Sequence, residues 1–171
     1  MRAQIWLSLA ATAAILAACG QKTEAPAASN QTASTPAAPS TPAANPFDTP
    51  EAKKAVAELP DAYQKADLQN GQAQFAVCRS CHTLNKGGAN MTGPNLYGVF
   101  GRKAGSVDGF NYSDGLKALG YSWDADKLNA WIKDPKSVVA TTKMSYVGMK
   151  DDKNRTDLIA YLKVASSGAA Q

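Results

Sequence analysis

The string VCRSCHTL, residues 77–84, gathers two of the chain's three cysteines and its only histidine within five positions. Three kinds of chemistry use such residues. A thiol–disulfide redox pair would join Cys78 and Cys81, but that fold needs a strand leading into the motif within a βαβ unit, and no strand-like alternation precedes it. A structural zinc site needs four ligands, and Cys78, Cys81 and His82 supply three adjacent ones that cannot close a tetrahedron. A covalently held haem uses every member: two thiols three apart form thioethers to the two vinyl groups, and the next residue places its imidazole under the iron. The haem reading is favoured, with Cys78 and Cys81 as attachment points and His82 as the proximal iron ligand.

Such a site needs a second axial ligand and elements to carry both. Met91, Met144 and Met149 are the candidates once the initiator is set aside. The ordinary role of methionine is flexible core filling. Met91 lies nine residues past His82, on the connection that must first leave the proximal side. Met144 falls in the loop TTKMSYVGM, where no helical period accounts for it; Met149 follows five residues on.

Three main helices are predicted. The first runs from about Asp67 to Cys78. The second follows SWD, carries Leu128, Trp131 and Ile132 at i, i+3, i+4, and stops at Pro135. The last spans about Lys153 to Val164, with Leu158, Tyr161 and Leu162 on one face. Between the first two lies a Gly-rich stretch, residues 87–120, without strand periodicity. The fold class is therefore all-α, a small domain with long loops. Such loops need something to pack against, and a domain of about 105 residues offers little core of its own; a large apolar disc would supply it.

The N-terminal third has another character. MRAQIWLSLAATAAILAAC opens with Arg2 and an apolar run from Ile5 to Ala18, shorter than the about twenty residues that span a bilayer. It fits a secretory signal. Leu16-Ala17-Ala18-Cys19 resembles a bacterial lipoprotein processing site, which implies cleavage before Cys19 and its acylation. Residues 1–18 are read as the signal peptide and 19–48 as a lipidated N-terminus and tether. Ala, Pro, Ser, Thr and Gln dominate residues 21–46, so nothing there offsets the entropy of ordering the backbone. A chain of that length reaches roughly 30 Å root-mean-square. Residues 49–60 read as a short helical lead-in, with Thr49 as cap and Pro50 in the first turn. The compact domain is expected over 61–165 and a loose tail over 166–171.

The 171 residues carry a formal charge of +4, and the pI is near 8.9. No run of five like charges occurs, so a nucleic-acid stripe is not indicated.

CRSCHTL, TGPNLYGVFGRKAG, GFNYSDG, TKMSYVGMK and RTDLIAYLK, in this order, make residues 67–164 resemble the class I cytochrome c family, closely its mitochondrial and small soluble bacterial branch. The resemblance implies a small cytochrome c fold wrapped around one covalently bound haem c. It implies Met144 as the distal iron ligand and the Pro94 carbonyl as hydrogen-bond acceptor for His82. It implies Arg102, Tyr112 and Trp123 near the propionates and Thr142 in the distal-loop network. It also pairs Gly71 and Phe75 of the first helix with Leu158 and Tyr161 of the last. Departures are Ala140-Thr141 where relatives carry Pro-Gly, Trp131 where many have tyrosine, and Tyr146 for phenylalanine near the haem edge.

An iron with both axial positions filled changes oxidation state between Fe(II) and Fe(III) with little rearrangement, which implies a one-electron carrier and not an enzyme. By resemblance its donor is a quinol-oxidising cytochrome complex and its acceptor a terminal oxidase. Lys136, Lys143 and Lys150 match family positions that steer acidic partners; Gln72, Val77 and Met91 stand where relatives often have lysine. The expected setting is the periplasmic side of a bacterial membrane, as a lipid-anchored monomer. The rivals are an open-iron peroxide or nitric oxide site and a permanently docked oxidase subunit.

Overall fold

The computed structural model describes residues 45–169. The signal, Cys19 and the tether up to residue 44 lie outside the described residues. In order, the helices are α1 (Pro50–Ala57), α2 (Asp61–Gln64), α3 (Leu68–Gln74), α4 (Asp114–Lys117), α5 (Ala125–Lys133), α6 (Pro135–Val138) and α7 (Asp152–Ser166). Among the described residues there is no strand; a single antiparallel bridge pairs Lys103 with Ser122. The fold is all-α.

Side-chain caps start five of the seven helices, α1, α3, α5, α6 and α7. Thr49 Oγ1 accepts from the Ala52 N–H at 3.1 Å, with Pro50 in the first turn of α1. Asp67 caps α3 through the Gln69 and Asn70 amides. Asp124 caps α5 through Lys127, Asp134 caps α6 through Ser137, and Asp151 caps α7 through Asn154. Each carboxylate satisfies an otherwise orphaned N–H and faces the positive helix end.

α7 is the spine. It is buried on most of its circumference because α1, α2, α3 and α5 all pack on it. Gly71 makes the α3 crossing possible: a Cβ there would lie 2.1 Å from the Asp157 carbonyl oxygen and 2.6 Å from the Tyr161 Cβ. Phe75 fills the crossing against Tyr161, with ring centroids 5.8 Å apart. Asp157, buried in the same contact, accepts from the Asp67 N–H, Asn70 Nδ2 and Lys153 Nζ. Leu128, Trp131 and Ile132 of α5 point into the core as the periodicity predicts.

Several expected boundaries move. The tether and lead-in assigned to 19–48 and 49–60 are, from Asn45 onward, part of the packed body. Phe47 is buried, with its ring edge-on to Tyr161 at 5.7 Å, and Ala52, Ala55, Leu59 and Tyr63 are buried behind it. The packing therefore begins well before residue 61, because this segment covers a face of α7 that would otherwise be bare. α7 also outruns the expected Val164 end. Ser166 is buried and its carbonyl accepts from the Gly98 N–H at 2.7 Å, so the chain is held past residue 165. The first helix gives way earlier than Cys78: after Gln74 a tight 3₁₀ turn, Phe75–Val77, leads into the motif. The short helices α2, α4 and α6 have no periodic signal in the sequence, since four residues complete barely one turn.

Candidate functional site

The turn after α3 keeps winding through the motif. The Cys81 and His82 amides both donate to the Cys78 carbonyl at 3.0 Å. Residues three and four apart therefore share one side, which brings Cys78, Cys81 and His82 together. Neither cysteine is in a disulfide, and both are half-buried. Burial pushes the Cys78 thiol up to about 11, with a further push from Cys81.

His82 is anchored. Its Nδ1 lies 2.8 Å from the Pro94 carbonyl oxygen. A carbonyl only accepts, so Nδ1 carries the proton and Nε2 keeps its lone pair for a metal. Burial holds the imidazole below its ordinary value against the opposing pull of the Pro94 bond, and the Arg102 cation adds to the lowering. The neutral ring is the form that ligates iron. Gly93 lies flush against it: a Cβ would fall 2.3 Å from His82 Cε1. The Gly93 N–H ties this loop back to the Cys81 carbonyl at 2.9 Å.

Arg102 and Trp123 are brought together by reciprocal backbone bonds. The Gly101 N–H donates to the Trp123 carbonyl at 2.7 Å, and the Trp123 N–H to the Arg102 carbonyl at 2.9 Å. Arg102 Nη1 also donates to the Tyr97 carbonyl at 3.0 Å. Tyr112 is buried against Phe110, and the Arg102 cation opposes the rise that burial imposes on its phenol. Trp123 stacks obliquely on Trp131 at 5.7 Å.

The three methionines separate by environment. Met91 is 47% exposed. Met149 is buried; its N–H donates to the Ile132 carbonyl and its carbonyl accepts from Arg155 Nη1, so it pins the loop between α5 and α7. Met144 is half-buried in the loop, and its N–H donates to Thr142 Oγ1 at 3.1 Å. Thr142 thus sets the backbone that carries Met144.

Lys136 has no ion-pair partner among the described residues. Lys143 Nζ grips Asn111 through its carbonyl and Oδ1, at 3.0 and 2.9 Å. Lys150 Nζ pairs with Asp134 at 3.0 Å and donates to the Lys133 carbonyl at 2.9 Å.

Two residues escaped sequence reasoning. Ser113 Oγ is buried without a hydrogen-bond partner, immediately after Tyr112. An orphaned hydroxyl of this kind is costly unless something supplies its partner. Gly93 is the other; its role shows only in its distance from His82. The preceding Met-Thr and following Pro-Asn carried no signal for it.

These residues fit haem c. Two thiols and an imidazole share one side, Leu84, Leu96, Phe110 and Met144 are half-buried apolar side chains packed against the core, and the Ser113 hydroxyl and the Arg102 guanidinium are each donors that suit carboxylates. Residues 68–166 match the family model described as Cytochrome c. Cytochrome c of Stellaria longipes is 44% identical over 102 residues, covering 59% of this chain and 94% of the relative. Cytochrome c of Theileria parva is 49% identical over 104 residues, covering 60% and 90%. Cytochrome c2 of Rhodoplanes tepidamans is 44% identical over 96 residues, covering 56% and 90%. The chain belongs to the cytochrome c family. It is accordingly an electron-transfer protein with one covalently bound haem c, not an enzyme.

Proposed function

We propose that this chain is a membrane-tethered one-electron carrier that takes electrons from a quinol-oxidising cytochrome complex and passes them to a terminal oxidase or similar acceptor. When bound, haem c supplies an Fe(II)/Fe(III) couple. Cys78 and Cys81 would hold the porphyrin through thioethers, and His82 Nε2 and Met144 would be the iron ligands. Pro94 keeps the imidazole in one tautomer and orientation. Arg102, Ser113, Tyr112 and Trp123 would serve the propionates, and Thr142 steadies the Met144 backbone. With His82 and Met144 both held by hydrogen-bonded backbone, the iron would be closed to small ligands and would change charge with little motion of the protein.

The observation that carries this reading is the His82–Pro94 bond with Gly93 flush against the ring. A half-buried imidazole locked at Nδ1, one residue from Cys81, is a preset iron ligand. Met144 is preferred to Met149 because Met149 is already part of the core.

Anchoring is proposed through acylation of Cys19 after removal of residues 1–18, on the periplasmic side of a bacterial membrane. Support comes from the apolar run that stops at a small-residue triplet before Cys19. A tether holds carrier and partners at raised effective concentration.

A redox-titrated absorption spectrum of the purified full chain tests the centre. A reversible one-electron couple is expected, with the weak red-end band of methionine-ligated ferric iron. In Met144→Ala that band disappears and the midpoint potential falls. A spectrum and potential unchanged in Met144→Ala overturn the ligand assignment. Mass spectrometry of membrane-extracted protein tests the anchor; a mature N-terminus other than acylated Cys19 overturns it.

A further inference from the structure

Residues 93–96 run alongside the turn that carries His82, and three bonds link the two segments in step. The Gly93 N–H donates to the Cys81 carbonyl at 2.9 Å, His82 Nδ1 donates to the Pro94 carbonyl at 2.8 Å, and the Leu96 N–H donates to the Thr83 carbonyl at 2.8 Å. Pro94 has no N–H of its own, and the Asn95 N–H is turned away to Asn90 Oδ1 at 2.9 Å. Between Gly93 and Leu96 the backbone therefore offers no donor to the histidine turn. The Asn95 side chain supplies two: Nδ2 donates to Thr83 Oγ1 at 2.7 Å and to the Asn85 carbonyl at 3.0 Å.

The carboxamide is fully engaged. Asn95 Oδ1 accepts from the Tyr97 N–H at 3.0 Å, so the group can sit only one way round, because an amide N–H only donates and a carbonyl only accepts. Thr83 Oγ1 gives its own hydrogen to the Ala89 carbonyl at 2.8 Å, which leaves its lone pairs for Asn95. Donors and acceptors in such a row strengthen one another. Gly88 closes the loop over them: a Cβ there would lie 2.7 Å from Thr83 Oγ1 and 2.8 Å from Asn95 Nδ2. Thr83 follows His82 and Asn95 follows Pro94. Their contact therefore fixes the separation of the two ends of the His82–Pro94 bond.

We propose that Asn95 is a positioning residue for His82: its carboxamide, bonded to Thr83, holds the Pro94 carbonyl at the His82 Nδ1 and so sets the donor strength of Nε2 towards iron. This rests on His82 as the iron ligand, as proposed above. A hydrogen bond at the far nitrogen raises the basicity of a ligating imidazole. A more basic ligand favours the ferric state, the more electron-poor of the two. Slackening the Asn95–Thr83 contact lets the Pro94 bond lengthen, weakens the ligand and raises the midpoint potential. A role confined to loop packing would move stability and leave the imidazole as it is.

The test compares the haem-loaded full chain as wild type, Asn95→Ala, Thr83→Val and Thr83→Ser. None of these changes the net charge, so a shifted potential is not a charge effect. Two quantities are read: the midpoint potential, and the exchange of the His82 Nδ1 proton with solvent by nuclear magnetic resonance of the reduced protein. His82 is the chain's only histidine, so its signal is unambiguous. In Asn95→Ala and Thr83→Val the potential is expected to rise and the proton to exchange about tenfold faster, the factor that one lost side-chain hydrogen bond supplies. Thr83→Ser keeps the hydroxyl and is expected to match wild type in both. Thr83→Val retains the backbone bond from Leu96, so it decides the matter if Asn95→Ala fails to take up haem. Potential and exchange unchanged in either loaded variant, whatever urea unfolding shows, overturn the proposal, as does a Thr83→Ser that shifts as far as Thr83→Val. A wild-type histidine without the strong ring-current shift of an axial ligand defeats the ligand reading itself. A normally shifted histidine with unmoved variants defeats only the role of Asn95.

Discussion

The Glu58 carboxylate lies 2.8 Å from the Lys163 ammonium. The pair joins the segment ahead of the family module to its last helix. Lys163 also sits 5.4 Å above the Phe100 ring, so one side chain meets both the leading segment and the long loop. Further along, the Tyr63 hydroxyl donates towards the Ala125 carbonyl and Asp126 at the start of α5. Residues 45–66 therefore bind the body at successive points and are not a leash.

Apolar burial, not the ion pair, holds that segment. Phe47→Ala removes a buried ring from the Tyr161 edge and is expected to cost about 3 kcal/mol. That corresponds to a fall of roughly 10 °C in the melting temperature of the haem-loaded chain. Glu58→Gln is expected to leave the melting temperature nearly unchanged, because the carboxylate is exposed and its attraction is screened. Calorimetry of both variants checks the ranking; equal losses would contradict it.

Gly71→Ala tests the α3–α7 crossing. The new Cβ would fall 2.1 Å from the Asp157 carbonyl oxygen, which is backbone and cannot step aside. Forcing the helices apart is expected to cost about 3 kcal/mol. Urea unfolding should show a lower midpoint with an unaltered slope.

Asp157 predicts an acid limb. Burial alone would raise its carboxyl, but the bonds from Lys153, Asn70 and the Asp67 amide outweigh this and hold it below the ordinary value of 3.8. The folded state thus binds its proton less readily than the unfolded chain. The resulting stability is fully present above that ordinary value and is lost as pH falls through the lower folded one. Asp157→Asn should be less stable at neutral pH and should lose less on acidification over that range. A pH series of urea midpoints for both proteins decides it; parallel curves would contradict the assignment.

Gly93→Ala probes the histidine. Its Cβ would fall 2.3 Å from the His82 ring, so the imidazole must rotate off the Pro94 carbonyl. Disturbing a ligand's outer support typically weakens metal binding on the order of tenfold or more. The expected result is a lower yield of haem-loaded protein and a shifted midpoint potential, with α7 packing intact by hydrogen exchange. Unchanged yield and potential would show that the Gly93 contact does not matter.

The longer helices were legible because their signals are local. Thr49, Asp67, Asp124 and Asp151 reach amides two or three residues ahead, and Leu128, Trp131 and Ile132 recur at helical spacing. The leading segment was misjudged because Phe47, Leu59 and Tyr63 look sparse in a row and become a surface only when α7 lies beneath them. Ser113 was missed for a related reason: a lone serine before a short helix reads as a cap, yet its hydroxyl makes no capping bond.

The sequence by itself determined the chemistry of the turn, since the spacing of Cys78, Cys81 and His82 is covalent and survives any fold. Tertiary structure decided which nitrogen of His82 is free, that Met149 belongs to the core while Met144 stays in its loop, and where the packed body begins. These depend on partners distant along the chain, such as the Asp67 amide on Asp157. A buried polar group must find its partner wherever the fold brings one, and a local pattern carries no record of that meeting.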